Sequence, residues 1–371
     1  MKLLVLNENY PHLENLMGNV FVHVRVKEYQ KNHQVKVFSF FHKPRVINYE
    51  GVEISFFQES QALVKAIQEY KPDRIIVHFY HSWMLEELFK VVKVPYLIWV
   101  HGYEALGWYR RMFNYSWYSP VFFRFIKENT IQQLNLRKLI QYASSRDDIH
   151  FVFVSEWMKR ITEEDTLSKV KRYSIIANPI DTDLFKYIPK TIEQRTRVLL
   201  LRSFHTRKYA NDISVKAIQI LSQRDVFKNF QFTLRGTGHL FKPLTEPLKK
   251  FDNVELIEGP VRQVLIPEVH KNYGVFLCPT RQDAQGVSMC EAMSSGLVPL
   301  ASNNTAIPEY VKDRFSGLLS NSATELADHL ELLYNSPDLF VDLSTNAAAE
   351  MRRICSMETV VSQELDVIVN P

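Results

Sequence analysis

The sequence has little glycine and little cysteine. Eleven glycines occur in 371 residues, about 3% where proteins average about 7%, which excludes collagen-like repeats and glycine-rich linkers. The three cysteines, Cys278, Cys290 and Cys355, show neither CxxC nor Cys/His spacing. The sequence therefore indicates neither a disulfide framework nor a zinc site, and it is typical of a protein from a reducing compartment.

Long apolar runs and a strong net charge are also missing. No stretch approaches the roughly eighteen apolar residues of a membrane-spanning helix, and the run near the N-terminus covers only residues 3–6. The formal net charge of +4 is too small to indicate a nucleic-acid-binding protein. We expect a cytoplasmic protein, or one on the inner face of the cytoplasmic membrane that does not cross it.

What the sequence does contain is a regular alternation of short apolar runs and amphipathic segments. Apolar strands without polar alternation, separated by helices, predict parallel sheets covered on both faces. The first series of strands is at 3–6, 35–40, 52–56, 74–78, 96–100, 151–154 and 173–177, with helices at 60–70 and 84–92. The second has strands at 198–202, 231–235, 254–257, 275–279 and 298–301, with helices at 213–223, 266–272, 289–295 and 324–333.

These two series predict two Rossmann-like α/β domains. The polar stretch 186–197, which contains Pro189, is the natural linker. We place the first domain at residues 1–186 and the second at 187–355. Ligands of such folds bind at the carboxyl ends of the strands, so the sequence predicts a cleft between the two domains.

The most informative motif spans residues 278–299. A buried strand leads into a loop with Asp283 and Gly286, and a helix begins near Ser288 and carries Glu291. The free N–H groups at a helix start favour an anion. Asp283 and Glu291 are placed to accept hydrogen bonds from sugar hydroxyls on either side of a bound phosphate. The alternative is an ordinary loop before a helix whose acidic residue offsets the helix dipole.

Basic residues and a histidine follow other strands. Arg202 ends a strand, and Arg207 and Lys208 follow five and six residues later; fixed cations there would stabilise a departing diphosphate. A solvated basic loop is the alternative. His101 also ends a strand and faces the expected cleft, where an imidazole can hydrogen-bond a sugar or phosphate, although a lone histidine is more often structural.

At the 278–299 motif the chain resembles a family, the retaining glycosyltransferases of GT-B fold known as glycosyltransferase family 4, or glycosyl transferases group 1. The family hallmark is Glu, seven residues, then Glu-Ala-Met-x-x-Gly-x-Pro. Here Asp283 replaces the first Glu, Glu291 is the second, and Pro299 falls one residue late. Weaker matches occur in the family's order at 153–157, 176–185, 235–238, 307–309 and 317–319.

The resemblance implies a fold and an activity. The GT-B architecture pairs an acceptor-side N-terminal domain with a donor-binding C-terminal domain, and the amphipathic segment 356–371 would cross back to the first. The activity would be that of a hexosyltransferase-type glycosyltransferase. It would move a sugar from a nucleotide sugar to a glycan or lipid-linked acceptor hydroxyl with retention and without a metal. By family analogy the setting is bacterial cell-surface polysaccharide synthesis, of O-antigen or capsule type.

The resemblance also assigns residues. Arg202 and Lys208 would stabilise the departing phosphate, Asp283 would orient the sugar, Glu291 would hold the ribose, and His101 would contact sugar or acceptor. Arg207 competes with Lys208, because the loop is one residue longer than in the family and its flanking glycines are missing. Catalytic roles thus fall to Arg202, Lys208, Asp283 and His101, and donor binding to Gly18, Arg207, Gln285, Gly286, Val287, Ser288 and Glu291.

One segment has an unusual composition. Residues 103–127 interleave aromatic rings, Trp108 and Trp117 among them, with Arg110, Arg111 and other cations. This combination suits an anionic membrane surface. It suits equally a half-buried helix that forms the acceptor wall of its own domain.

Two other classes of function are alternatives to a glycosyltransferase. A sugar- or nucleotide-binding module without turnover is compatible with Asp283 and with the missing glycines. An NAD-dependent oxidoreductase is disfavoured because Gly236 and Gly238 are not followed by the third glycine of the dinucleotide fingerprint. A tight turn after a strand is the more probable role of these two glycines.

Overall fold

The computed structural model describes residues 1–15, 18–116 and 118–370. Its internal contacts divide the chain into two compact units. The first comprises Met1–Asn178 with Val360–Pro371, and the second comprises Pro179–Thr359. The boundaries predicted from the sequence lie after residues 186 and 355.

The first unit is built on a mainly parallel sheet. Its strands are β1 Lys2–Asn7, β2 Gln34–Phe40, β3 Arg45–Tyr49, β4 Val52–Phe57, β5 Arg74–His78, β6 Tyr96–Val100, β7 Ile149–Phe153 and β8 Tyr173–Ile175. Within the described residues their order is β3-β4-β2-β1-β5-β6-β7-β8. Every pair is parallel except β3 and β4, which form an antiparallel edge.

Helices cover this sheet. They are α1 Val20–Tyr29, α2 Ser60–Tyr70, α3 Pro120–Ala143 and α4 Glu156–Thr166, with a π-helix at Met84–Phe89 and a 3-10 helix at Trp108–Asn114. The start of α3 follows from its sequence, because the Ser119 hydroxyl accepts the Phe122 N–H at 3.1 Å and Pro120 occupies the first turn. Ser155 caps α4 in the same way. Residues 3–6 of β1 are fully buried, as the central strand of a parallel sheet requires.

The second unit contains a smaller sheet in which every pair of described strands is parallel. Its strands are β9 Arg197–Leu201, β10 Gln231–Gly236, β11 Val254–Glu258, β12 Val275–Cys278, β13 Val298–Ser302 and β14 Leu318–Ser320. Their order, within the part of the chain described, is β11-β10-β9-β12-β13-β14. Val198, Leu277 and Leu300 belong to one buried core.

The helices of the second unit and of the chain end complete the fold. They are α5 Asn211–Leu221, α6 Phe241–Thr245, α7 Ile266–His270, α8 Val287–Ser294, α9 Ile307–Tyr310, α10 Ala323–Asn335, α11 Pro337–Cys355 and α12 Met357–Val369, with 3-10 turns at Ile192–Thr196, Arg207–Tyr209, Asp225–Asn229, Glu246–Leu248 and Gln263–Leu265. Both units are therefore α/β structures, and apart from the antiparallel pair β3–β4 their described strand pairs are parallel, as the sequence predicts.

Candidate active site

A cavity of about 280 Å³ opens in the second unit at the carboxyl ends of β9 and β10. This is the edge at which open parallel sheets bind ligands. Its walls combine glycine backbone, three serine or threonine side chains, an aromatic ring and one guanidinium. The lining residues are Leu201, Arg202, Ser203, Tyr209, Gly236, Thr237, Gly259, Pro260, Val261 and Ser288.

Arg202 supplies the positive charge of this cavity. It follows β9 directly and is only 6% exposed, and its Nη2 donates to the Cys278 carbonyl at 3.0 Å. Its Nη1 lies 4.0 Å from the Asp283 Oδ2, while its Nε has no hydrogen-bond partner within the described residues. A buried guanidinium that is only partly paired is costly on its own and favours an anionic ligand.

The second cation comes from the short turn Arg207–Tyr209. The ring of Tyr209 contacts both cations: the Arg202 guanidinium lies 5.1 Å and the Lys208 ammonium 5.3 Å from its centroid. The Arg207 side chain is exposed, and its charge acts on Asp212. The structure thus brings Lys208, rather than Arg207, to the aromatic ring beside Arg202.

Arg281 fixes the backbone of this turn. Its N–H donates to the Lys208 carbonyl at 2.8 Å and its Nη1 to the Arg207 carbonyl at 2.9 Å. Its two terminal nitrogens also pair with both oxygens of Asp212, at 2.7 and 2.6 Å. A bidentate pair of this kind has defined geometry, so the loop holding Lys208 is positioned although the family's glycines are missing.

The loop after β12 is organised by Asp283. The Asp283 Oδ1 accepts the N–H of Gly286 at 2.9 Å and that of Gln285 at 3.4 Å. Gly286 precedes α8 with a φ of 84°, a conformation that glycine adopts without strain. The Gln285 side chain turns into the protein and donates to the Cys355 Sγ at 3.8 Å, so it does not line the cavity.

Helix α8 supplies the remaining predicted residues. It begins at Val287, close to the predicted start at Ser288, and Ser288 lines the cavity. Glu291 lies in its second turn. The Glu291 Oε1 accepts a hydrogen bond from the Gln263 Nε2 at 3.1 Å. Burial raises the pKa of Glu291 to about 7, and the Gln263 amide opposes this rise.

His101 lies in the first unit, directly after β6. Its Nε2 is 3.0 Å from the Nδ1 of buried His78, and its ring packs edge-on against Phe21 with 4.9 Å between centroids. Burial, with a smaller contribution from Arg25, lowers the pKa of His101 well below the usual value. The imidazole is therefore neutral at pH 7 and can hydrogen-bond a substrate without carrying charge.

The backbone after His101 is bound by the carboxylate of Glu104. Glu104 accepts the N–H of His101 at 2.7 Å and that of Gly102 at 3.1 Å. Burial raises the pKa of Glu104 to about 7, although these N–H groups and nearby Arg111 lower it. Sequence reasoning missed Glu104, which lies only three positions after the predicted histidine.

Glu104 lines a second cavity, of about 490 Å³, at the carboxyl ends of β1, β5 and β6. Its lining is polar and aromatic and, among the described residues, includes neither lysine nor arginine: Glu8, Asn9, Asn19, Phe79, Tyr80, His81, Ser82, Tyr103, Glu104, Glu128, Ile131, Gln132 and Asn135. Gly18 is not among them. A Cβ there would lie 2.8 Å from the carbonyl oxygen of Asn9, so Gly18 allows close packing of this loop.

The segment 103–127 is divided between interior and surface. Arg110 pairs with Asp165 at 2.9 Å, and Arg111 is buried against the ring of Phe125. Trp117 lies outside the described residues. Exposed side chains include those of Val121 and Phe123. Among the residues described, no helix has the length and apolar character needed to span a membrane.

Comparison with solved structures identifies the architecture. Sucrose-phosphate synthase from Thermosynechococcus elongatus matches with a TM-score of 0.77 at 15% identity, over 99% of this chain and 98% of that one. HepE of Anabaena in complex with UDP gives a TM-score of 0.74 at 14% identity over 100% of both chains. At such identities the likeness shows the fold, which is that of the GT-B glycosyltransferases.

A family model matches part of the second unit. Residues 195–336, which include Arg202, Asp283 and Glu291, match the family described as Glycosyl transferases group 1. This match lies within the second unit and agrees with the resemblance recognised from the motifs. The solved structures confirm the GT-B fold.

Two curated relatives agree at low identity. The phosphatidylinositol N-acetylglucosaminyltransferase gpi3 subunit of Schizosaccharomyces pombe is 25% identical over 199 residues, or 52% of this chain and 42% of that protein. The chain thus matches less than half of that relative. An uncharacterised glycosyltransferase of Haemophilus influenzae is 22% identical over 267 residues, covering 70% of this chain and 72% of the relative.

Proposed function

We propose that this glycosyltransferase transfers a sugar, with retention of anomeric configuration, from a nucleoside-diphosphate sugar to a hydroxyl of a glycan or lipid-linked acceptor. The observation that carries the proposal is the buried, incompletely paired guanidinium of Arg202 in the cavity of the second unit. A diphosphate is the ligand that such a charge favours. The solved relative bound to UDP-glucose supports a uridine nucleotide as the first donor to test.

Each predicted residue then has a task in donor binding. Arg202 and Lys208 stabilise the diphosphate as its bond to the sugar breaks and negative charge develops. Glu291, held by Gln263 at 3.1 Å, accepts hydrogen bonds from the ribose hydroxyls. Asp283 contacts the sugar through its Oδ2, because its Oδ1 already accepts the Gly286 N–H.

Retention follows from attack on the same face of the sugar. The bond between the anomeric carbon and the phosphate oxygen breaks, the acceptor oxygen bonds to that carbon on the face just vacated, and the acceptor proton passes to the departing phosphate. No protein nucleophile is required. Neutral His101 contributes a hydrogen bond to sugar or acceptor.

We further propose that the reaction is independent of metal ions. The basis is the pair of cations that share the Tyr209 ring, at 5.1 and 5.3 Å, because their charges suffice to neutralise a diphosphate. Turnover should be unchanged by excess EDTA. Loss of turnover that added Mg²⁺ or Mn²⁺ restores would contradict this part of the proposal.

For the cellular setting we propose synthesis of bacterial cell-surface polysaccharide at the cytoplasmic membrane. Support comes from exposed Val121 and Phe123 near Arg124 and Lys127 at the start of α3, a combination that suits anionic lipid. The double variant Val121→Asp/Phe123→Asp should lose flotation with anionic liposomes. Val46→Asp, at an exposed position in β3, should not; equal flotation of both variants would argue against the surface.

The competing function is a binding module without turnover. It is favoured by one observation, the engagement of Asp283 by backbone N–H groups. Nucleotide binding and nucleotide release from UDP-, GDP-, ADP- and CDP-sugars should be measured on the same preparation. Release that disappears in Arg202→Ala and Glu291→Ala supports the enzyme, and binding without release from any donor and acceptor pair supports the module.

A further inference from the structure

We infer that the acceptor presents an uncharged or amine-bearing sugar to the 490 Å³ cavity of the first unit, and that sugar ends carrying phosphate or carboxylate are excluded. The inference rests on the proposed function, since that function requires an acceptor hydroxyl. It adds the chemical class of the acceptor, which neither the family match nor the relatives supply.

The cavity has the size and lining of a small-ligand site. Ligand pockets usually measure about 300–1,000 Å³ and combine aromatic surface with a few polar groups. Here Phe79 and Tyr103 offer rings, while Asn9, Gln132 and Asn135 offer amides that donate and accept hydrogen bonds. Rings packed against C–H faces and amides paired with hydroxyls are the contacts that a sugar can satisfy.

The charges on this cavity have one sign. Glu8, Glu104 and Glu128 line it, and no lysine or arginine does so among the residues described. Glu8 pairs with His81 at 3.0 Å, but burial lowers the pKa of His81, so this imidazole adds little positive charge at pH 7. Arg124 lies 3.7 Å from Glu128 in an exposed pair, which solvent screens. Glu104 is partly ionised at pH 7, because burial raises its pKa to about 7, and the Glu8 side chain is 43% exposed. An anionic sugar would therefore meet repulsion from these two groups that solvent partly screens.

The carboxylate of Glu104 is held in place. Both its oxygens accept backbone N–H groups, from His101 and Gly102, and side chains of α3 and the preceding 3-10 helix fix the loop that follows. Asn129 donates to the Leu106 carbonyl at 3.0 Å and Arg111 to the same oxygen at 2.9 Å. A preorganised acceptor of this kind suits recognition of a sugar hydroxyl or ammonium group.

One residue of the same wall has a buried hydroxyl. Tyr80 lines the cavity and is 7% exposed, yet its hydroxyl has no hydrogen-bond partner within the part of the chain described. Buried hydroxyls are normally satisfied. An ordered water bridging to it would supply the partner.

The test is direct binding of small probes, independent of turnover. Saturation-transfer NMR on the full chain would compare methyl glycosides of glucose, galactose, mannose and N-acetylglucosamine, and also glucosamine, with glucuronate and the hexose 6-phosphates. UDP is present throughout to occupy the second unit. We expect saturable binding of at least one neutral or amine-bearing probe, with its anionic counterparts weaker by about ten-fold or more.

Substitutions test whether the glutamates of this cavity cause the discrimination against anionic probes. Glu8→Lys/Glu128→Lys should reduce the discrimination against anionic probes, and Glu104→Gln should weaken binding of the preferred probe. Glu69→Gln, on the exposed surface of α2, should change neither. Equal binding of anionic and neutral probes, no binding of any neutral or amine-bearing probe, or unchanged discrimination in the lysine variant would overturn the inference. Absence of nucleotide release from every donor would instead refute the proposed activity and leave the binding result standing.

Discussion

Arg202 carries the largest share of the proposed chemistry. Its guanidinium is buried, and its Nη1 lies 4.0 Å from Asp283. We expect Arg202→Ala to lower nucleotide release by about 100-fold or more, since it removes charge stabilisation from the transition state. The matched control is Arg197→Ala, at the exposed opposite end of β9, which should retain near wild-type release. Equal loss in both variants would show that the effect is structural.

Either Lys208 or its neighbour Arg207 is the second cation of the site, and substitutions distinguish the two. Lys208 lies 5.3 Å from the ring that Arg202 also contacts, whereas the Arg207 side chain is exposed. Lys208→Ala should reduce release by about ten-fold or more and Arg207→Ala by less than about two-fold. Steady-state rates at saturating donor measure this difference, and the reverse order would assign the role to Arg207.

Glu291 should make donor affinity depend on pH. Its pKa of about 7 lies above that of an exposed carboxyl, so the side chain is protonated below pH 7 and ionised above it. The ionised form is the stronger acceptor for ribose hydroxyls. The affinity for UDP-glucose should therefore rise from pH 6 to pH 8 by up to about ten-fold.

Glu291→Gln provides the control for this titration, because glutamine keeps the size and cannot ionise. Calorimetry of the variant should show weaker affinity that is constant over the same pH range. A variant that keeps the wild-type pH dependence would assign the titration to another group.

Only some residues of the candidate site could be predicted from the sequence. Arg202, Asp283 and Ser288 come together because they follow strands of one parallel sheet, which the sequence pattern reveals. No sequence pattern predicts Tyr209 or Gln263. Tyr209 contributes through its ring contacts with the two cations, and Gln263 through its hydrogen bond to Glu291. Gln285 was predicted to bind the donor, but its side chain lies against Cys355 in the interior.

At the scale of elements, Gly236 fixes how closely β10 approaches the turn after β9. A Cβ at Gly236 would lie 1.9 Å from the Arg202 carbonyl oxygen, whereas a Cβ at Gly259, also on the cavity wall, has nothing within 4 Å. Gly236→Ala should lower the free energy of unfolding by about 2–3 kcal/mol and weaken nucleotide binding. Gly259→Ala should leave stability near wild type in the same denaturation experiment; similar losses would contradict the steric argument.

Helix α12 is attached to the first unit by a buried ion pair. The Glu364 Oε1 accepts from the Arg25 Nε at 2.6 Å, and its Oε2 accepts from the Tyr29 hydroxyl at 2.6 Å. Glu364→Ala leaves Arg25 buried without its counterion and should cost about 3–5 kcal/mol. Urea unfolding followed by a probe in the first unit measures this cost.

Two further variants test whether the buried charge of Arg25 causes this loss of stability. Glu53→Ala breaks an exposed pair with Lys36 and should cost less than about 1 kcal/mol. Arg25→Met/Glu364→Met should recover much of the stability, because no buried charge remains unpaired. A double variant as unstable as Glu364→Ala would mean that the pair's charge is not the cause.

Most strands were predictable because buried parallel strands are continuous apolar runs. Strand β3 was missed because Arg45–Tyr49 is a largely exposed antiparallel edge. The short strand β14 was missed as well. The predicted helix at 84–92 is a π-helix over Met84–Phe89, a difference in hydrogen bonding that apolar spacing does not encode. Helix α11 was also missed.

For the whole molecule, the small net charge hides local charges of opposite sign in the two cavities. The formal value of +4 excludes little, yet the second unit has a guanidinium in its cavity and the first has three carboxyl groups in its own. Opposite local potentials suit a reaction whose donor is a diphosphate and whose acceptor is not anionic. These local potentials arise from residues that are distant in sequence and are assembled only by the fold.

The stereochemistry of transfer distinguishes retention from inversion and transfer from mere binding. Proton NMR should follow the anomeric signal of an α-linked nucleotide sugar while wild-type enzyme transfers the sugar to an accepted glycoside. We expect the donor signal to decay, nucleoside diphosphate to accumulate, and the first product formed to have the α configuration. A β-configured first product would contradict retention, and a donor that binds but is never consumed with any acceptor would contradict the enzyme itself.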